Sequence, residues 1–466
     1  MVMHNYADFV FGKSQLDGEH GFAPVVHNGS LLDFQSAMVD WACRKGRAAI
    51  FADCGMGKTL MQLAYADNVV RHTNRPVLVL TPLAVGAQTI AEGAKFGIET
   101  QSAEAFAGKP GIYVTNYERL HKFDRNDFVG CVCDESSILK SFDGATKQAV
   151  TDFMRKMPYR LLCTATAAPN DYTELGTSSE ALGYLGHIDM LNRFFTNKEK
   201  NSFTGRAWAG KGGEESFAWT FKGHAEESFW RWVCSWARAL RKPSDLGFDD
   251  SRFVLPRLIE RQHVVESLRP REGWLFAEVA RGLAEQREER RRTLAERCDM
   301  AASLVADTGK PAVVWCYLND EADRVERAVP GAIQVSGKDS DDEKVEKFQA
   351  FASGQARVIV IKPVIGAWGL NWQHCAHMTM FAGYSFEQYY QSIRRCWRFG
   401  QTSDVVVDNV VSDGEGEILE ARKRKAAQTD KMFADLVQYM REGMKIDRKA
   451  YGTNKSEVPS WLCSTK

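Results

Sequence analysis

The 466-residue chain is too long for one ordinary hydrophobic core, and its length alone predicts two or three domains. Its 60 basic and 60 acidic residues cancel, so no overall field draws the protein to nucleic acid or to an anionic membrane. Any contact with nucleic acid must therefore come from local patches. No apolar run is nearly as long as a membrane span, which needs about 18 residues. The first twelve residues lack the pattern of a secretory signal. These features predict a cytoplasmic protein with no membrane partner.

The eleven cysteines are scattered along the chain, and no paired C-x-x-C zinc motifs occur. Several lie in apolar runs, where a free thiol behaves as a small hydrophobic side chain: Cys131, Cys133, Cys163 and Cys316. A cytoplasmic protein keeps its thiols reduced. We therefore expect reduced core cysteines rather than disulfides or metal ligands.

Short apolar runs followed by turn or polar residues recur in two blocks, which is the pattern of buried parallel strands. The first block predicts strands at Ala48–Ala52, Val77–Thr81, Ile112–Thr115, Cys131–Asp134 and Leu161–Thr164. The second block predicts strands at Ala312–Tyr317, Ala332–Val335, Val358–Ile361, His377–Phe381 and Val405–Val411. Longer stretches between them, such as Leu60–Arg71, suit crossover helices. The fold class that follows is α/β, with two parallel-sheet domains.

The region between the blocks has a different composition. Gly186–Pro256 is dense in glycine and aromatic residues, and the apolar spacing of Phe229–Leu240 suits a helix. We interpret the aromatics as packing of a helical insertion, with base stacking as the alternative. Arg269–Thr308 is a charged helical stretch, and its run Glu288–Arg292 is interpreted as an exposed helix face. The predicted division is 1–185, 186–308 as insertion, and 309–466 ending in an amphipathic helix around Met432–Met440.

The segment Ala52–Thr59 follows a predicted strand and opens a predicted helix. Gly55 and Gly57 would let backbone N–H groups approach a polyphosphate closely. Lys58 would supply a cation for the β- and γ-phosphates, and the Thr59 hydroxyl would bind Mg²⁺. Strand, glycine-rich loop and helix in this order predict a phosphate site for ATP with Mg²⁺.

An acidic pair, Asp134-Glu135, ends a strand of the same block. A carboxylate at the carboxyl end of a neighbouring strand can reach the Mg²⁺ that Thr59 holds. The next carboxylate can polarise an attacking water. Binding ATP needs only Asp134, whereas hydrolysis needs a group such as Glu135.

A basic segment, Gln391–Gln401, lies between apolar strands of the second block. If it is helical, Arg394 and Arg398 share a face, and Arg395 lies beside Arg398. The alternative is a basic surface helix that binds nothing. Arginines delivered from one domain to a phosphate on another stabilise the transition state by about 10³–10⁵ in rate where measured. Hydrolysis would then depend on domain closure.

With these motifs in order, the chain resembles a superfamily 2 helicase, and most closely the Swi/Snf-type DNA translocase branch. The match covers about residues 30–175 and 310–412. The matching segments are Gln35 (the adenine-reading glutamine), Ala52–Thr59 (motif I), Thr81-Pro82 (motif Ia), Thr115–Glu118 (the next nucleic-acid motif), Asp134–Ser137 with Leu139-Lys140 (the D-E-x-H box and its lysine), Thr164–Thr166 with Pro169-Asn170 (motif III), Gly366–Asn371 (motif V) and Gln391–Gln401 (motif VI).

The resemblance implies two RecA-like domains with ATP·Mg²⁺ at their interface. It implies that Arg395 and Arg398 contact the γ-phosphate, with Arg398 as the arginine finger. Nucleic acid would be held through its backbone, so binding should be sequence-nonspecific and salt-sensitive. The implied contacts are Thr81, Thr115, Asn116, Lys140 and Asn371, and Gly366 with Gly369 would let backbone N–H groups approach a phosphate.

Four positions depart from the family pattern. Ala52 replaces the first glycine of motif I, and Cys54 stands where an acidic or small residue is usual. Ser137 replaces the histidine of the box, which removes one link to motif III, and Trp397 replaces a histidine of motif VI. No group needed for phosphate, Mg²⁺ or charge stabilisation is lost.

The function expected from the sequence is a nucleic-acid-stimulated ATPase that moves along duplex DNA, acting as a monomer. The Gly400-Gln401 pair favours this branch over RNA-directed DEAD-box proteins. The alternatives are an RNA helicase, a non-hydrolysing nucleotide-regulated binding module, and a motor subunit for a nuclease or modification partner. The compact form suits a bacterial or phage version, located in the bacterial or phage-infected cell.

Overall fold

The computed structural model describes residues 20–169, 171–197, 219–266, 283–366 and 370–443. The chain divides into two compact units. The first unit consists of Met1–Arg252 and Thr429–Ser460, and the second of Phe253–Gln428 and Trp461–Lys466.

The first unit is built on a seven-stranded sheet in which every described strand pair is parallel. The strand order is β3-β4-β2-β5-β6-β1-β9. The strands are β1 (Arg47–Ala52), β2 (Val77–Thr81), β3 (Thr100–Ser102), β4 (Ile112–Asn116), β5 (Gly130–Asp134), β6 (Tyr159–Thr164) and β9 (Ala237–Leu240). A separate antiparallel pair is formed by β7 (Phe195–Asn197) and β8 (Trp219–Phe221). Because all seven strands of the large sheet run the same way, their carboxyl ends share one edge.

Helices cover this sheet and connect its strands. They are α1 (Asp33–Lys45), α2 (Lys58–Thr73), α3 (Gly86–Lys95), α4 (Ala145–Met154), α5 (Leu175–Leu182), α6 (His187–Phe194) and α7 (Ala225–Cys234). The strands of the sheet interior are almost wholly buried, as expected for a parallel sheet with both faces covered. This is the α/β architecture that the first block of apolar runs predicts.

The aromatic residues that follow α6 belong to the core of the first unit. Phe229, Trp230, Trp232 and Trp236 are at most 2% exposed and join the same apolar cluster as the residues of β1, β2 and β6. Trp232 and Trp236 meet edge to face with ring centroids 5.5 Å apart. Packing is therefore the role of these four side chains, as the sequence predicted, whereas Trp208 lies outside the described residues.

The long helix α14 (Gly416–Gly443) begins in the second unit, but its second half belongs to the first. Met432, Phe433 and Leu436 are at most 3% exposed and complete the apolar cluster of the first unit. Arg241, which directly follows β9, pairs with Asp430 at 2.7 Å and stacks over the ring of Phe433. The predicted helix around Met432–Met440 is thus present and supplies core side chains.

The second unit contains a six-stranded sheet in the order β10-β15-β14-β11-β13-β12, again with all pairs parallel. Its strands are β10 (Leu258–Val265), β11 (Ala312–Trp315), β12 (Ala332–Val335), β13 (Val358–Ile361), β14 (His377–Phe381) and β15 (Val405–Ser412). Its helices, apart from the first half of α14, are α8 (Leu283–Arg292), α9 (Leu294–Thr308), α10 (Asn319–Ala328), α11 (Asp341–Ala352), α12 (Pro363–Gly366) and α13 (Phe386–Ile393). The predicted fold class, α/β with two parallel-sheet domains, is confirmed.

The run Glu288–Arg292 is not the uniformly exposed helix face that its composition predicts. Glu289 and Arg290 are buried, and Arg290 pairs with the fully buried Glu415 at 2.9 Å. The next turn adds a second buried pair, Arg297 with Glu321 at 2.6 Å. Buried charges need such partners because an unpaired charge in a low-dielectric interior is strongly unfavourable. Only Glu288 and Arg291 of the run face solvent.

Residues 186–308, expected as one insertion, are shared between the two units, with the division at Arg252. The segment Phe229–Leu240, expected as one helix, forms α7 and then β9. The helix stops at Cys234 because Ala237–Leu240 completes the edge of the large sheet beside β1. The backbone N–H of Asp53 donates to the carbonyl of Leu240 at 3.0 Å and continues this pairing beyond β1.

Nine of the ten described cysteines are buried, and none of these ten forms a disulfide. Within the described ranges, no helix is long and apolar enough to cross a membrane.

Candidate active site

The loop between β1 and α2 has the geometry of a phosphate cradle. Gly55 and Gly57 have φ values of 86° and 80°, a left-handed conformation that other residues rarely adopt. A Cβ atom at Gly57 would lie 2.3 Å from Nε2 of Gln35, so any other residue there would displace the Gln35 side chain. The Asp53 carboxylate accepts from the backbone N–H of Cys54 at 2.6 Å and fixes the start of the loop. The loop leads directly into α2, whose N-terminus favours an anion.

Lys58 and Thr59 open α2 beside this cradle. The Lys58 ammonium donates to the carbonyl oxygens of Ala52 at 2.9 Å and Asp53 at 3.4 Å. It therefore lies over the loop where phosphates would bind. Thr59, the next residue of α2, is half-buried.

Gln35, assigned to adenine by the resemblance, is buried against the phosphate loop. Its Nε2 donates to the carbonyl of Met56 at 2.9 Å, and its Oε1 accepts from the backbone N–H of Leu32 at 2.9 Å. The side chain thus ties the start of α1 to the loop. Each end of an amide can form a further hydrogen bond, so these contacts are compatible with a base as well.

Asp134 and Glu135 lie at the carboxyl end of β5. In the sheet order β6 separates β5 from β1, so the ends of all three strands are neighbours. Both side chains are buried: Asp134 is 6% exposed and Glu135 is 8% exposed. Glu135 has φ 50° and ψ 52°, a left-handed conformation that costs a non-glycine residue about 1–2 kcal/mol. The strained turn redirects the chain immediately after the strand, as is common at functional sites.

Two contacts that the sequence did not predict fix the backbone and side chain of Asp134. The Tyr117 hydroxyl donates to the Asp134 carbonyl at 2.6 Å, and burial, with Cys133 and Asp134 nearby, raises the pKa of Tyr117. The Gln62 amide donates to the Asp134 carboxylate at 2.6 Å. The sequence does single out Gln62 as unusual. In the apolar run Leu60–Ala66, only Gln62 and the hydroxyl of Tyr65 are polar.

Thr164, at the end of β6, connects motif III with the acidic box. Its hydroxyl donates to Glu135 Oε2 at 3.4 Å and accepts from the backbone N–H of Thr166 at 3.0 Å. The Ser137 hydroxyl is buried and has no hydrogen-bond partner among the described residues. The contact of Thr164 with Glu135 thus links the ends of β6 and β5 without involving Ser137.

The residues assigned to nucleic acid in the first unit lie at the same edge of the sheet, but two are buried. Thr81 and Asn116 are register partners at the ends of β2 and β4. Thr81 is 0% exposed and donates to the Thr115 carbonyl, while Asn116 accepts from the N–H of Arg119 and caps a 3-10 turn. Thr115 and Lys140 are half-buried. Of these four residues, only Thr115 and Lys140 are partly accessible to a ligand in this conformation.

In the second unit, the arginines of motif VI converge, though not on a helix face. The helix α13 ends at Ile393, and residues 394–400 form turns, so the expected helical alignment of Arg394 and Arg398 is wrong. Arg395 and Arg398 instead meet at the carbonyl of Leu370, at 3.0 and 3.4 Å. Because that carbonyl fixes both guanidinium groups, the chain needs no continuous helix to bring them together.

The three arginines differ in burial. Arg394 is 0% exposed and packs over the rings of Trp397 and Phe399. Arg395 is also buried, and donates to the backbone and side chain of Gln391. Arg398 is only half-buried. Of the three, Arg398 has the most surface with which to reach a ligand.

Asn371, expected to contact nucleic acid, is exposed in the second unit. The rest of motif V is only partly described. Gly366 is buried, and a Cβ there would lie 2.4 Å from Cδ1 of Ile361, so a larger residue would displace that side chain. Gly369 and, in motif III, Asn170 lie outside the described residues.

No protein-family model matches the chain, and no curated protein sequence does. Many solved structures resemble it, including the following two. The Sulfolobus solfataricus SWI2/SNF2 ATPase core in complex with dsDNA is 15% identical with a TM-score of 0.41, covering 92% of this chain and 97% of its own. The Mycobacterium smegmatis helicase Lhr bound to ssDNA and AMP-PNP is 13% identical with a TM-score of 0.48, covering 86% of this chain and 48% of its own.

Proposed function

We propose that the protein is an ATP-dependent motor that moves along nucleic acid, with duplex DNA as its track. In this proposal ATP binds at the loop Ala52–Thr59 of the first unit, and Arg398 of the second unit completes the hydrolytic site. Hydrolysis then depends on closure of the two units, which is how the energy of ATP becomes motion.

The observation that carries the proposal is the arrangement at the carboxyl edge of the first sheet. A glycine cradle, Lys58, Asp134 and Glu135 lie at the ends of β1 and β5, with Thr164 of β6 between them. A module that only binds nucleotide needs the cradle and Lys58 but has no use for Glu135 or a finger arginine. The combination therefore favours hydrolysis over simple binding.

The residues present fit ATP with Mg²⁺. The hydroxyl of Thr59 and the carboxylate of Asp134 are the hard oxygen ligands that Mg²⁺ prefers, and the glycine cradle offers backbone N–H groups to phosphate. When bound, Mg²⁺ neutralises charge on the β- and γ-phosphates. Lys58 would hold those phosphates, Glu135 would orient and polarise the attacking water, and Arg398 would stabilise charge on the transferred group. The contact of Thr164 with Glu135 would let motif III sense the state of the catalytic carboxylate.

Replacing Glu135 with glutamine should separate binding from hydrolysis. Glutamine keeps the size of the side chain but cannot accept a proton, so we expect ATP affinity within about threefold of wild type and a turnover rate about 10²–10⁴ times lower. Single-turnover hydrolysis and equilibrium binding of ATP measure the two quantities. The matched control is Glu99→Gln, which changes an exposed carboxylate of the same unit. Turnover of the Glu135→Gln variant close to that of wild type would remove Glu135 from its assigned role.

The track is tested by ATPase rates with duplex DNA, single-stranded DNA and RNA, together with triplex-displacement and strand-unwinding assays. We expect duplex DNA to stimulate most, independently of its sequence, and stimulation to fall steeply with salt because the contacts are to backbone phosphates. Stimulation by RNA alone would favour an RNA helicase. Stimulation without displacement or unwinding would argue against a motor. A nuclease or modification enzyme as partner stays a prediction from the sequence.

A further inference from the structure

Gln62 lies near the start of α2, and its side chain contacts Asp134 at the end of β5. Its side chain is 1% exposed, and its Nε2 donates to Oδ1 of Asp134 at 2.6 Å. Gln62 is four residues after Lys58 and three after Thr59, so all three side chains lie on one face of the helix. One helical segment thereby carries the phosphate cation, the Mg²⁺ hydroxyl and a contact to the Mg²⁺ carboxylate.

The orientation of the Gln62 amide follows from the chemistry of its partner. An ionised carboxylate only accepts hydrogen bonds, so the NH₂ group of Gln62 must face Asp134. This leaves the amide oxygen, Oε1, buried and without a donor among the described residues. A buried acceptor without a donor is unusual in a folded protein and calls for a specific explanation. Water molecules that accompany Mg²⁺ are donors of the kind this oxygen lacks.

We propose that Gln62 is a positioning residue for magnesium: its NH₂ group fixes the Asp134 carboxylate, and its oxygen accepts a hydrogen bond from water that enters with the metal. The inference rests on the proposed ATP site and adds a residue that the helicase motifs of the sequence do not include. The partners that orient metal ligands typically contribute 10–100-fold to metal affinity or activity. Gln62 therefore sets how much Mg²⁺ the site needs, without contacting the nucleotide.

The experiment titrates a fluorescent ADP analogue against the full-length protein, once with Mg²⁺ and once in EDTA. The variants are Gln62→Met, which keeps the volume but removes both amide contacts, and the control Gln148→Met. Gln148 also donates to a carboxylate, Asp152 at 3.0 Å, but on the exposed surface. For Gln62→Met we expect about tenfold weaker binding with Mg²⁺, affinity within twofold of wild type in EDTA, and about tenfold more Mg²⁺ for half-saturation. The control should match wild type in all three.

The outcomes separate the inference from the proposed function. If wild type binds the ADP analogue but Gln62→Met has the same Mg²⁺ dependence, the inference is wrong and the ATP site stands. Equal losses with Mg²⁺ and in EDTA, with a lower melting temperature, would reduce Gln62 to a packing role and also overturn it. If wild type binds no nucleotide under either condition, the proposed function fails, and the inference with it.

Discussion

Replacing Lys58 with alanine should abolish ATP turnover, lowering kcat by at least about 10³-fold, while the protein stays folded. The Lys58 ammonium contacts the carbonyls of Ala52 and Asp53 in the loop, and in the proposed site it would neutralise the β- and γ-phosphates. Because its side chain is only half-buried, its removal leaves no large cavity. Steady-state ATPase rates and a thermal melt measure the two expectations.

The matched control for this variant is Lys109→Ala, which removes an exposed lysine of the same unit. It should keep the turnover and melting temperature of wild type. Turnover by Lys58→Ala within a few-fold of wild type would mean that the loop Ala52–Thr59 is not the hydrolytic site. A melting temperature lowered by many degrees would instead assign Lys58 a structural role.

Replacing Arg398 with alanine is expected to lower the DNA-stimulated rate by about 10³-fold or more and to change ATP affinity by less than about threefold. Finger arginines act on charge that develops in the transition state, so their loss affects kcat rather than binding. Arg398→Lys tests the geometry, because lysine keeps the charge but lacks the planar fork of donors. We expect that variant to recover only a small part of the lost rate.

Arg395→Ala is the informative comparison, since Arg395 is buried and bonded to Gln391 and Leu370. Its loss should lower the melting temperature of the second unit as well as the ATPase rate. Arg424→Ala, an exposed arginine on α14, should change neither. If DNA stimulates Arg398→Ala as strongly as wild type, Arg398 is not the finger, and Arg395 becomes the next residue to test.

The strands were predictable wherever burial on both faces leaves a continuous apolar run. All ten strands expected from such runs are present, with ends that differ by at most two residues. The strand β10 was missed because it lies at a sheet edge and reads LIERQHVV, with its central residues exposed. The strand β9 was read as helix, because nothing local in Ala237–Leu240 reveals that β1 lies beside it. Pairing with a distant neighbour overrides local preference there.

The same distinction applies to the site. The loop Ala52–Thr59 and the pair Asp134-Glu135 are local in sequence, and their chemistry follows from residue type and position after a strand. The contact of Gln62 with Asp134 joins residues 72 positions apart, and no local pattern specifies it. The meeting of Arg395 and Arg398 depends on the carbonyl of Leu370, which lies 25 and 28 residues earlier in the chain. Composition alone cannot place that carbonyl beside them.

Burial of charge was the least predictable property. The run Glu288–Arg292 has the composition of an exposed helix face, yet Arg290 is buried against Glu415, which lies 125 residues further along the chain. A charged side chain tolerates burial only where a partner of opposite sign is supplied. Whether such a partner exists is decided by tertiary structure, not by the run itself.

The return of α14 to the first unit also has a consequence for synthesis on the ribosome. Phe433 and Leu436 complete the first unit's apolar cluster, but they are translated only after Phe253–Gln428 of the second unit. At about 5–20 residues per second, the nascent first unit waits on the order of ten seconds or longer with that part of its core uncovered. The first unit is thus begun first but completed only after most of the second unit has been made. Until then its uncovered apolar surface is open to the aggregation that chaperones counter.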